Sequence, residues 1–349
     1  MNFLDLFAGI GGFRFGMERA GHKCVGYCEI DKYARSSYQA IHNTEGEIDF
    51  KDITEVTDEE FRELRGKVDI ICGGFPCQAF SIAGNQLGFE DARGTLFYEI
   101  ARAAEQIKPR YLFLENVRNL LSHDKGKTFE RMLKILDELG YDAEWQVLNS
   151  KNFGVPQNRE RVFIIGHLRG ERTSRVFPIR GENKEFNFEP KIKVLGNTKT
   201  PNGSSIGTRS IVHDPNGIVG ALTATDYKES KQIAIQDRHG VLVREATKQG
   251  YAVADVGDSI NFSHPNSKTR RGRVGKNIAN TLLTSDEQGV VLSDYKIRKL
   301  TPRECWRLQG FPDWAFDKAQ EVNSNSQLYK QAGNSVTVNV IEEIAKRFK

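Results

Sequence analysis

Cysteine is scarce in this sequence, and its spacing does not suggest a metal site. Five cysteines in 349 residues are an odd number, which argues against a framework of disulfides. Cys24 and Cys28 are separated by three residues, and no Cys/His pair elsewhere completes a zinc site. We therefore predict reduced thiols, packing roles for these two residues and no bound metal.

Long apolar runs and an export signal are also missing. No apolar run approaches the roughly 20 residues that cross a bilayer, and residues 1–5 lack the basic segment of a signal peptide. These absences predict a soluble, cytoplasmic protein without a membrane partner. A chain of 349 residues can bury a substantial core, and we expect two domains.

The net charge of +4 is small but unevenly distributed along the chain. Residues 172–290 contain 18 Lys and Arg against 12 Asp and Glu, whereas the remainder contains 32 against 34. The densest basic stretch, 263–276, contains no acid. This concentration is typical of a segment that contacts a nucleic-acid backbone, although a solvated loop is the ordinary interpretation of a single charged run.

The sequence divides into two parts that differ in composition and in apolar pattern. Up to about residue 170, apolar runs of strand length alternate with helical patterns, which predicts a parallel sheet covered on both faces. Residues 172–290 are rich in Gly, Asn, Ser, Thr and Pro, so we expect an irregular, mostly β region. Helical signals resume at Thr301, and the last helix should begin near Ser335. The strands predicted in the first part are 2–7, 23–29, 68–72, 111–115, 143–148 and 162–166.

A thiol follows one of these predicted strands. The apolar run 68–74 ends in two glycines, and Pro76 and Cys77 come directly after it. A cysteine on such a loop is well placed to act as a nucleophile. Considered alone, however, Cys77 would more often be a buried structural thiol.

The first predicted strand runs into a glycine-rich turn, residues 7–12 (FAGIGG). Glycines at a strand-to-helix turn let a ligand approach the backbone, which suggests a nucleotide-like cofactor. The dinucleotide fingerprint is broken because Arg14 stands at its third glycine. Glu29, at the end of the next strand, can accept hydrogen bonds from ribose hydroxyls, Ile30 can lie against a purine, and Asp52 can accept from an adenine amino group. Together they predict an adenosyl group without a diphosphate.

Five blocks of sequence resemble the DNA cytosine-5 methyltransferases, particularly the compact bacterial and phage enzymes. The blocks, in family order, are 7–12 (FAGIGG), 74–78 (GFPCQ), 115–117 (ENV), 157–161 (QNRER) and 333–336 (GNSV). The resemblance covers about residues 1–171 and 296–349. It implies S-adenosylmethionine as the methyl donor, with S-adenosylhomocysteine as the product.

The resemblance also implies an α/β fold. A Rossmann-like methyltransferase domain with a mixed, mostly parallel sheet would comprise residues 1–171, completed by 325–349. A smaller, mostly β domain, 172–324, would contain the target-recognition region at about 172–290. The two domains would face each other across a cleft of the size of DNA.

The chemistry of the family assigns roles to four residues. A thiolate on Cys77 would add to C6 of cytosine and so make C5 nucleophilic. Glu115 would meet N3 as a protonated or proton-sharing acid, since burial raises the pKa of a carboxyl. Arg161 and, by resemblance, Arg159 would hold O2 and neighbouring groups. The cytosine must leave the stacked duplex to reach them.

The remaining site predictions concern the cofactor and the DNA. The predicted cofactor-binding residues are Phe7, Gly9, Ile10, Gly11, Gly12, Glu29, Ile30, Asp52, Ile53, Pro76, Leu96, Asn334, Ser335 and Val336. The predicted DNA contacts are Ser81, Arg93, Lys268, Arg270, Arg271 and Arg273. The first two lie in the stretch 81–94, whose glycines and polar residues predict a mobile loop that closes over DNA.

Three functions are compatible with these features. The leading interpretation is a monomeric enzyme that methylates cytosine within a short sequence of double-stranded DNA, either beside a restriction endonuclease of the same specificity or in phage protection. A transfer-RNA methyltransferase would share the same blocks, although a basic, loop-rich insertion favours base readout in a DNA groove. A sequence-specific DNA-binding module without catalysis is the third.

Overall fold

Seven strands form the central sheet of this computed structural model. The residues described are 1–75, 96–181, 236–237, 240–264, 267, 269–285, 287–293 and 296–349. The strands are β1 (Asn2–Leu6), β2 (Lys23–Cys28), β3 (Ile48–Phe50), β4 (Ile70–Gly74), β5 (Tyr111–Val117), β6 (Tyr141–Asn149) and β7 (Glu160–Leu168). They are ordered β3-β2-β1-β4-β5-β7-β6.

The sheet is mixed and mostly parallel, as predicted. The strands β3, β2, β1, β4 and β5 are parallel to one another, whereas β7 is antiparallel to both β5 and β6. The antiparallel strand β7 accounts for the mixed character that the family resemblance implies, whereas the alternating apolar runs indicated only the parallel part of the sheet. The short link between β6 and β7, residues 150–159, has no helix that could carry the chain back across the sheet, so the two strands form an antiparallel hairpin.

Nine helices are defined within the described residues. They are α1 (Gly12–Arg19), α2 (Lys32–Ile41), α3 (Asp58–Arg62), α4 (Leu96–Ile107), α5 (Lys127–Glu138), α6 (Pro302–Leu308), α7 (Asp313–Val322), α8 (Asn325–Asn334) and α9 (Val338–Ala345).

Alternate residues of the central strands face two different cores, because side chains of a strand point to opposite faces. Leu4, Leu112 and Ile164 pack on one face with α3, α4 and α5. Phe3 and Phe113 pack on the other with α1 and α9. The central strands are therefore buried on both sides, which explains why their sequences are almost continuously apolar.

The chain divides into two compact units. Unit 1 contains Met1–Lys184, Thr281–Ser285 and Pro302–Lys349, and unit 2 contains Glu185–Asn280 and Asp286–Thr301. The predicted boundaries differ from this division, since 172–324 was assigned to one small domain. Helices α6 and α7 pack with α8 in unit 1, because Trp306 of α6 packs on Phe316 of α7 and donates from Nε1 to the carbonyl of Leu328 in α8 at 3.0 Å.

The described part of unit 2 contains two small sheets, in agreement with the mostly β prediction. One sheet has the order β10-β9-β8 and the other the order β12-β11-β13-β14, and every pairing is antiparallel. The strands are β8 (Gln236–Asp237), β9 (Gly240–Arg244), β10 (Tyr251–Ala254), β11 (Ser259–Asn261), β12 (Val274–Gly275), β13 (Gln288–Val291) and β14 (Ile297–Lys299).

The described ranges contain neither a membrane-spanning helix nor a cluster of metal ligands. No helix there has the length and apolar character needed to cross a membrane. No group of three or more His, Cys, Asp or Glu side chains there could hold a metal ion. The described cysteines, Cys24, Cys28, Cys72 and Cys305, are buried, and no disulfide joins any two of them.

Trp306 should be the main anchor of the C-terminal helices. Its side chain is 1% exposed, so Trp306→Ala should lower the free energy of unfolding of unit 1 by about 3 to 5 kcal/mol. Trp314→Ala is the control, because that indole is 49% exposed and its loss should cost much less. Urea unfolding followed by circular dichroism measures both, and equal losses would contradict this role for Trp306.

Candidate active site

The glycine turn joins β1 to α1 through left-handed backbone conformations. Phe7, Gly9 and Gly11 have φ angles of 55°, 58° and 84°. Glycine adopts such angles without strain, whereas for Phe7 they are uncommon and mark a constrained position. The amide of Gly11 donates to the carbonyl of Ala8 at 2.8 Å, which closes the turn. Ile10 is buried beneath it.

Glu29 connects this turn to the start of α2. Its Oε2 accepts from the amide of Gly9 and its Oε1 accepts from the amide of Asp31, both at 2.7 Å. Burial raises the pKa of this carboxyl, and the two amide donors oppose that shift. Each oxygen can accept a second hydrogen bond, so the carboxylate remains able to bind ribose hydroxyls.

The other residues predicted to bind the cofactor differ in how far their side chains are exposed. Ile30 is 63% exposed directly after Glu29, which leaves its apolar surface available to a flat ring. Asp52 accepts from the amide and the hydroxyl of Thr54 at 2.9 and 2.8 Å. The side chain of Ile53 is only 3% exposed and packs in the core, so only its backbone could reach a ligand. Leu96 is half-buried at the first residue of α4.

The C-terminal block lies directly against the glycine turn. A β-carbon on Gly12 would come 2.7 Å from Oγ of Ser335 and 2.8 Å from Cγ2 of Val336, so a side chain larger than hydrogen does not fit there. Asn334 is exposed beside them. Residues more than 300 positions apart in sequence therefore form one surface, as the predictions for Ser335 and Val336 require.

Glu115 and Arg161 form a buried pair on neighbouring strands. In the β5–β7 ladder Glu115 is opposite Phe163 and Val117 is opposite Arg161, so the two charged residues are diagonal neighbours. Nε of Arg161 lies 2.9 Å from Oε1 of Glu115. Burial raises the pKa of Glu115, while the positive charges of Arg161 and Arg159 lower it, and burial has the larger effect.

Arg159 donates hydrogen bonds to three backbone carbonyls. Its guanidinium is 3% exposed and donates to the carbonyls of Leu282, Gly333 and Ser335 at 3.2, 3.0 and 2.8 Å. Burial and the charge of Arg161 lower the pKa of Arg159 to about 9, so it remains a cation at neutral pH. Its two terminal nitrogens donate to backbone, whereas its buried Nε has no hydrogen-bond partner among the described residues. A direct contact of Arg159 with cytosine stays a prediction.

Asn116 is a site residue that the sequence predictions missed. It is 1% exposed, donates from Nδ2 to the carbonyl of Phe75 at 2.9 Å, and accepts the amide of Val117 at 2.8 Å. These bonds fix the chain two residues before Cys77. The only signal in the sequence was its position between Glu115 and Val117. Pro76, Cys77, Ser81 and Arg93 lie outside the described residues.

The predicted DNA contacts in unit 2 differ strongly in exposure. Arg271 is exposed and donates from Nε to the carbonyl of Ala246, and Arg270 is half-buried. Arg273 is 4% exposed and donates to the carbonyls of Ser263 and His264, so it is not available as predicted for a phosphate. Its guanidinium satisfies local backbone instead. Lys268 lies outside the described residues.

Comparisons with known proteins identify what the chain is similar to. The family model of C-5 cytosine-specific DNA methylases matches residues 1–349. The type II methyltransferase M.HhaI of Haemophilus parahaemolyticus is 36% identical over 348 residues, with 99% of this chain and 93% of that protein covered. The orphan methyltransferase M.SPRI of Bacillus phage SPR is 33% identical over 429 residues, with 99% and 97% covered.

Similar folds also occur among solved structures. A protein assigned as a DNA modification methyltransferase within an E. coli prophage has a TM-score of 0.60 and 21% identity, with 99% of this chain and 97% of that chain covered. The Dnmt2 methyltransferase of S. pombe has a TM-score of 0.56 and 18% identity, with 98% and 96% covered. At these identities the likeness establishes the fold alone.

The raised pKa of Glu115 predicts a pH-dependent stability difference. The folded state binds its proton more tightly than the unfolded state, so the stability that this proton contributes is lost as pH rises through the folded-state pKa. Glu115→Gln cannot ionise. Its free energy of unfolding, relative to the natural protein, should therefore increase from acidic to neutral pH in urea titrations.

Glu60→Gln provides a control of opposite sign. Hydrogen bonds from Thr57 lower the pKa of Glu60, so ionisation of Glu60 stabilises the folded state as pH rises. The Gln variant should lose relative stability over the same interval. A Glu115→Gln difference that is flat, or that follows the Glu60 direction, would contradict the buried-acid interpretation.

Proposed function

Because the chain belongs to the C-5 cytosine-specific DNA methylase family, we propose that it methylates C5 of one cytosine within a short, specific sequence of duplex DNA. The observation that supports this most directly is the buried Glu115–Arg161 pair, with a contact of 2.9 Å, on the strands that follow the glycine turn. An acid and a forked cation at this spacing match the N3 and O2 edge of a cytosine.

The residues around the glycine turn fit S-adenosylmethionine as the methyl donor. Glu29 carries the acceptor oxygens for a ribose, and the exposed Ile30 offers an apolar surface to an adenine. The backbone at Gly9 and Gly11 can approach the ligand closely, and the remaining contacts would come from the other predicted cofactor residues. When bound, this donor supplies an electrophilic methyl group and leaves as S-adenosylhomocysteine.

Cys77 starts the proposed reaction. Its thiolate adds to C6 of the cytosine and forms a C–S bond, and the electron pair of the C5–C6 bond becomes available at C5. A thiol of ordinary pKa is only slightly ionised near neutrality, so the loop must favour the thiolate. Asn116 contributes by fixing the carbonyl of Phe75, which limits where the next residues can be placed.

Glu115 and Arg161 stabilise the charge that this addition creates. Burial keeps the proton on Glu115 to a higher pH, so the carboxyl can donate to N3 as electron density moves there. Arg161 would donate to O2. After the methyl group reaches C5, a base removes the C5 proton, Cys77 leaves by elimination, and the proton on N3 returns to Glu115.

The cytosine must be flipped out of the duplex, at a cost of a few kcal/mol, before Cys77 can reach C6. We assign Ser81 and Arg93 to phosphate contacts that hold the flipped strand. Residues 172–290 would read the sequence, because base edges in the groove must be met by side chains from outside the catalytic core. Unit 1, with its cofactor turn, would form the catalytic domain.

The wider context is part of the same proposal. We expect a monomer in the cytoplasm that acts in restriction-modification, beside an endonuclease of the same specificity, or in phage protection. A transfer-RNA substrate is the second candidate, since a transfer-RNA branch of the family shares the same sequence blocks. Methyl transfer to duplex DNA and to transfer RNA in parallel assays separates the two.

Bisulfite sequencing of DNA from cells that express the protein tests the reaction and identifies its sequence. One short motif should carry 5-methylcytosine at a single position. Cells expressing the Cys77→Ala variant are the control. Unmethylated DNA from cells with abundant folded protein would reject the DNA methyltransferase proposal.

Cys77→Ala should abolish methyl transfer and leave DNA and cofactor binding intact. The flipped base and the adenosyl pocket do not need the thiol, and only the C–S bond does. Transfer is measured with labelled S-adenosylmethionine and binding with labelled duplex. Cys305→Ala, which removes a buried thiol elsewhere, should retain transfer. Loss of DNA binding in Cys77→Ala, or retained transfer, would contradict the assigned role.

Neutralising Lys268, Arg270 and Arg271 as glutamines should weaken DNA binding and flatten its salt dependence. The slope of log K against log salt should fall by about 0.9 for each phosphate contact removed. Lys276→Gln is the control, because Asp255 and Asp258 already hold its ammonium at 2.7 and 2.8 Å. An unchanged slope in the triple variant would reject this segment as a contact with the DNA backbone.

A further inference from the structure

A buried acid, Glu245, accepts hydrogen bonds from the backbone of the segment 270–273 (RRGR) and the residue after it. Glu245 is 9% exposed and directly follows β9. Its Oε1 accepts from the amides of Arg273 and Val274 at 2.5 and 3.2 Å, and its Oε2 accepts from the amide of Gly272 at 3.2 Å. One carboxylate thus organises three consecutive backbone donors, and hydrogen bonds to an ionised acceptor are about twice as strong as neutral ones.

Arg273, the last residue of this segment, forms further hydrogen bonds with nearby backbone. Its guanidinium donates to the carbonyl of Ser263 at 3.1 Å and to that of His264 at 2.5 Å. The carbonyl of Arg273 accepts the amide of Asn261 at 2.8 Å. A backbone hydrogen bond thus joins Asn261 to Arg273, and the buried side chain of Arg273 holds the next residues, Ser263 and His264.

Ala246, the residue after Glu245, forms hydrogen bonds with Arg270 and Arg271, the two arginines of the segment that are not buried. The amide of Ala246 donates to the carbonyl of Arg270 at 2.9 Å. In return, the carbonyl of Ala246 accepts from Nε of Arg271 at 2.8 Å. Residues 245–246 thereby bind Arg270, Arg271, Gly272, Arg273 and Val274 through backbone or side-chain hydrogen bonds.

We propose that Glu245 is a positioning residue for DNA binding: it holds Arg270 and Arg271 in the conformation that contacts phosphates, although its own charge opposes that contact. The proposal rests on the proposed function, since it takes duplex DNA as the ligand. Its physical basis is preorganisation. Ordering a long side chain on binding costs about 0.5 to 1.5 kcal/mol, and arginines ordered beforehand avoid part of that cost.

Two physical effects predict opposite results when Glu245 is removed. If only the electric field of unit 2 matters, loss of a negative charge near the arginines should strengthen DNA binding. If Glu245 acts by holding the backbone of the segment, its loss should weaken binding despite the gain in positive charge. The sign of the change therefore distinguishes the two effects without reference to its size.

The experiment compares Glu245→Ala and Glu245→Gln with the natural full-length protein. Binding of a labelled duplex of mixed sequence is measured by fluorescence anisotropy over a series of salt concentrations. Glu245→Ala should bind about tenfold more weakly with a shallower salt slope, as expected for two arginines that are no longer ordered. Glu245→Gln, which keeps one acceptor oxygen, should fall between the two.

The control is Asp255→Asn, which removes another acid of unit 2 without touching the segment 270–273. Its binding should be unchanged or tighter. Affinity for S-adenosylhomocysteine and the thermal midpoint of unit 1 should stay constant in every variant. These readouts separate a local effect on the segment from general loss of structure.

Binding by Glu245→Ala that equals or exceeds that of the natural protein would overturn the proposal. If that variant does not fold, Glu245→Gln decides in the same way: weaker binding supports the role, and equal or tighter binding rejects it. A natural protein that shows no salt-dependent binding to duplex DNA would instead reject the proposed function. The two failures are therefore distinguishable.

Discussion

The candidate active site depends on the buried guanidinium of Arg159. It donates to carbonyls at Leu282, Gly333 and Ser335, and so ties the segment before β7 to the C-terminal end of α8. The last carbonyls of a helix have no partner within it and carry partial negative charge, so a cation is favourable there. Without Arg159 the carbonyls of Leu282 and Gly333 would lose this donor, and a buried carbonyl without a donor is costly. The carbonyl of Ser335 would keep Nε2 of Gln309 at 3.3 Å.

The contacts of Arg159 connect two parts of the candidate site, the glycine turn and the Glu115–Arg161 pair. On one side, Ser335 packs against Gly12 so closely that a β-carbon would be 2.7 Å away, and the glycine turn is thereby fixed. On the other side, Arg161 lies two residues after Arg159 on the same face of the chain and meets Glu115. The glycine turn near the N-terminus and the acid–arginine pair in the middle of the chain are therefore both connected to the segment that contains Arg159.

Much of this arrangement could be predicted from sequence, because it rests on local patterns. Continuous apolar runs gave six of the seven sheet strands to within a few residues, but β3 has only three half-exposed or exposed residues and offered no such run. The direction of β7 depends on a link too short for a crossover helix, which apolar periodicity does not report. Ser335 was associated with the glycine turn only through the family blocks.

The arginines show why burial could not be predicted. The family blocks predict the same role for Arg159 and Arg161, and the basic stretch predicts the same role for Arg271 and Arg273, although the two members of each pair differ in burial. Whether a guanidinium meets a ligand or a carbonyl depends on contacts such as Arg159 with Gly333, which are 174 residues apart. The same limit applies to Asn116, whose partner Phe75 is 41 residues away, and to Ile53, whose side chain belongs to the core.

The segments around Arg159 and Arg273 nevertheless share one arrangement of arginines. In each, one arginine is buried and satisfies backbone carbonyls, as Arg159 does in unit 1 and Arg273 does in unit 2, while a neighbouring arginine is left to meet a charged group. The buried member needs several donors in a fixed fork, which lysine cannot provide. An Arg-to-Lys exchange at either buried position would keep the charge and still lose the structure that presents the other arginine. Arginine is therefore required at these positions for its geometry as much as for its charge.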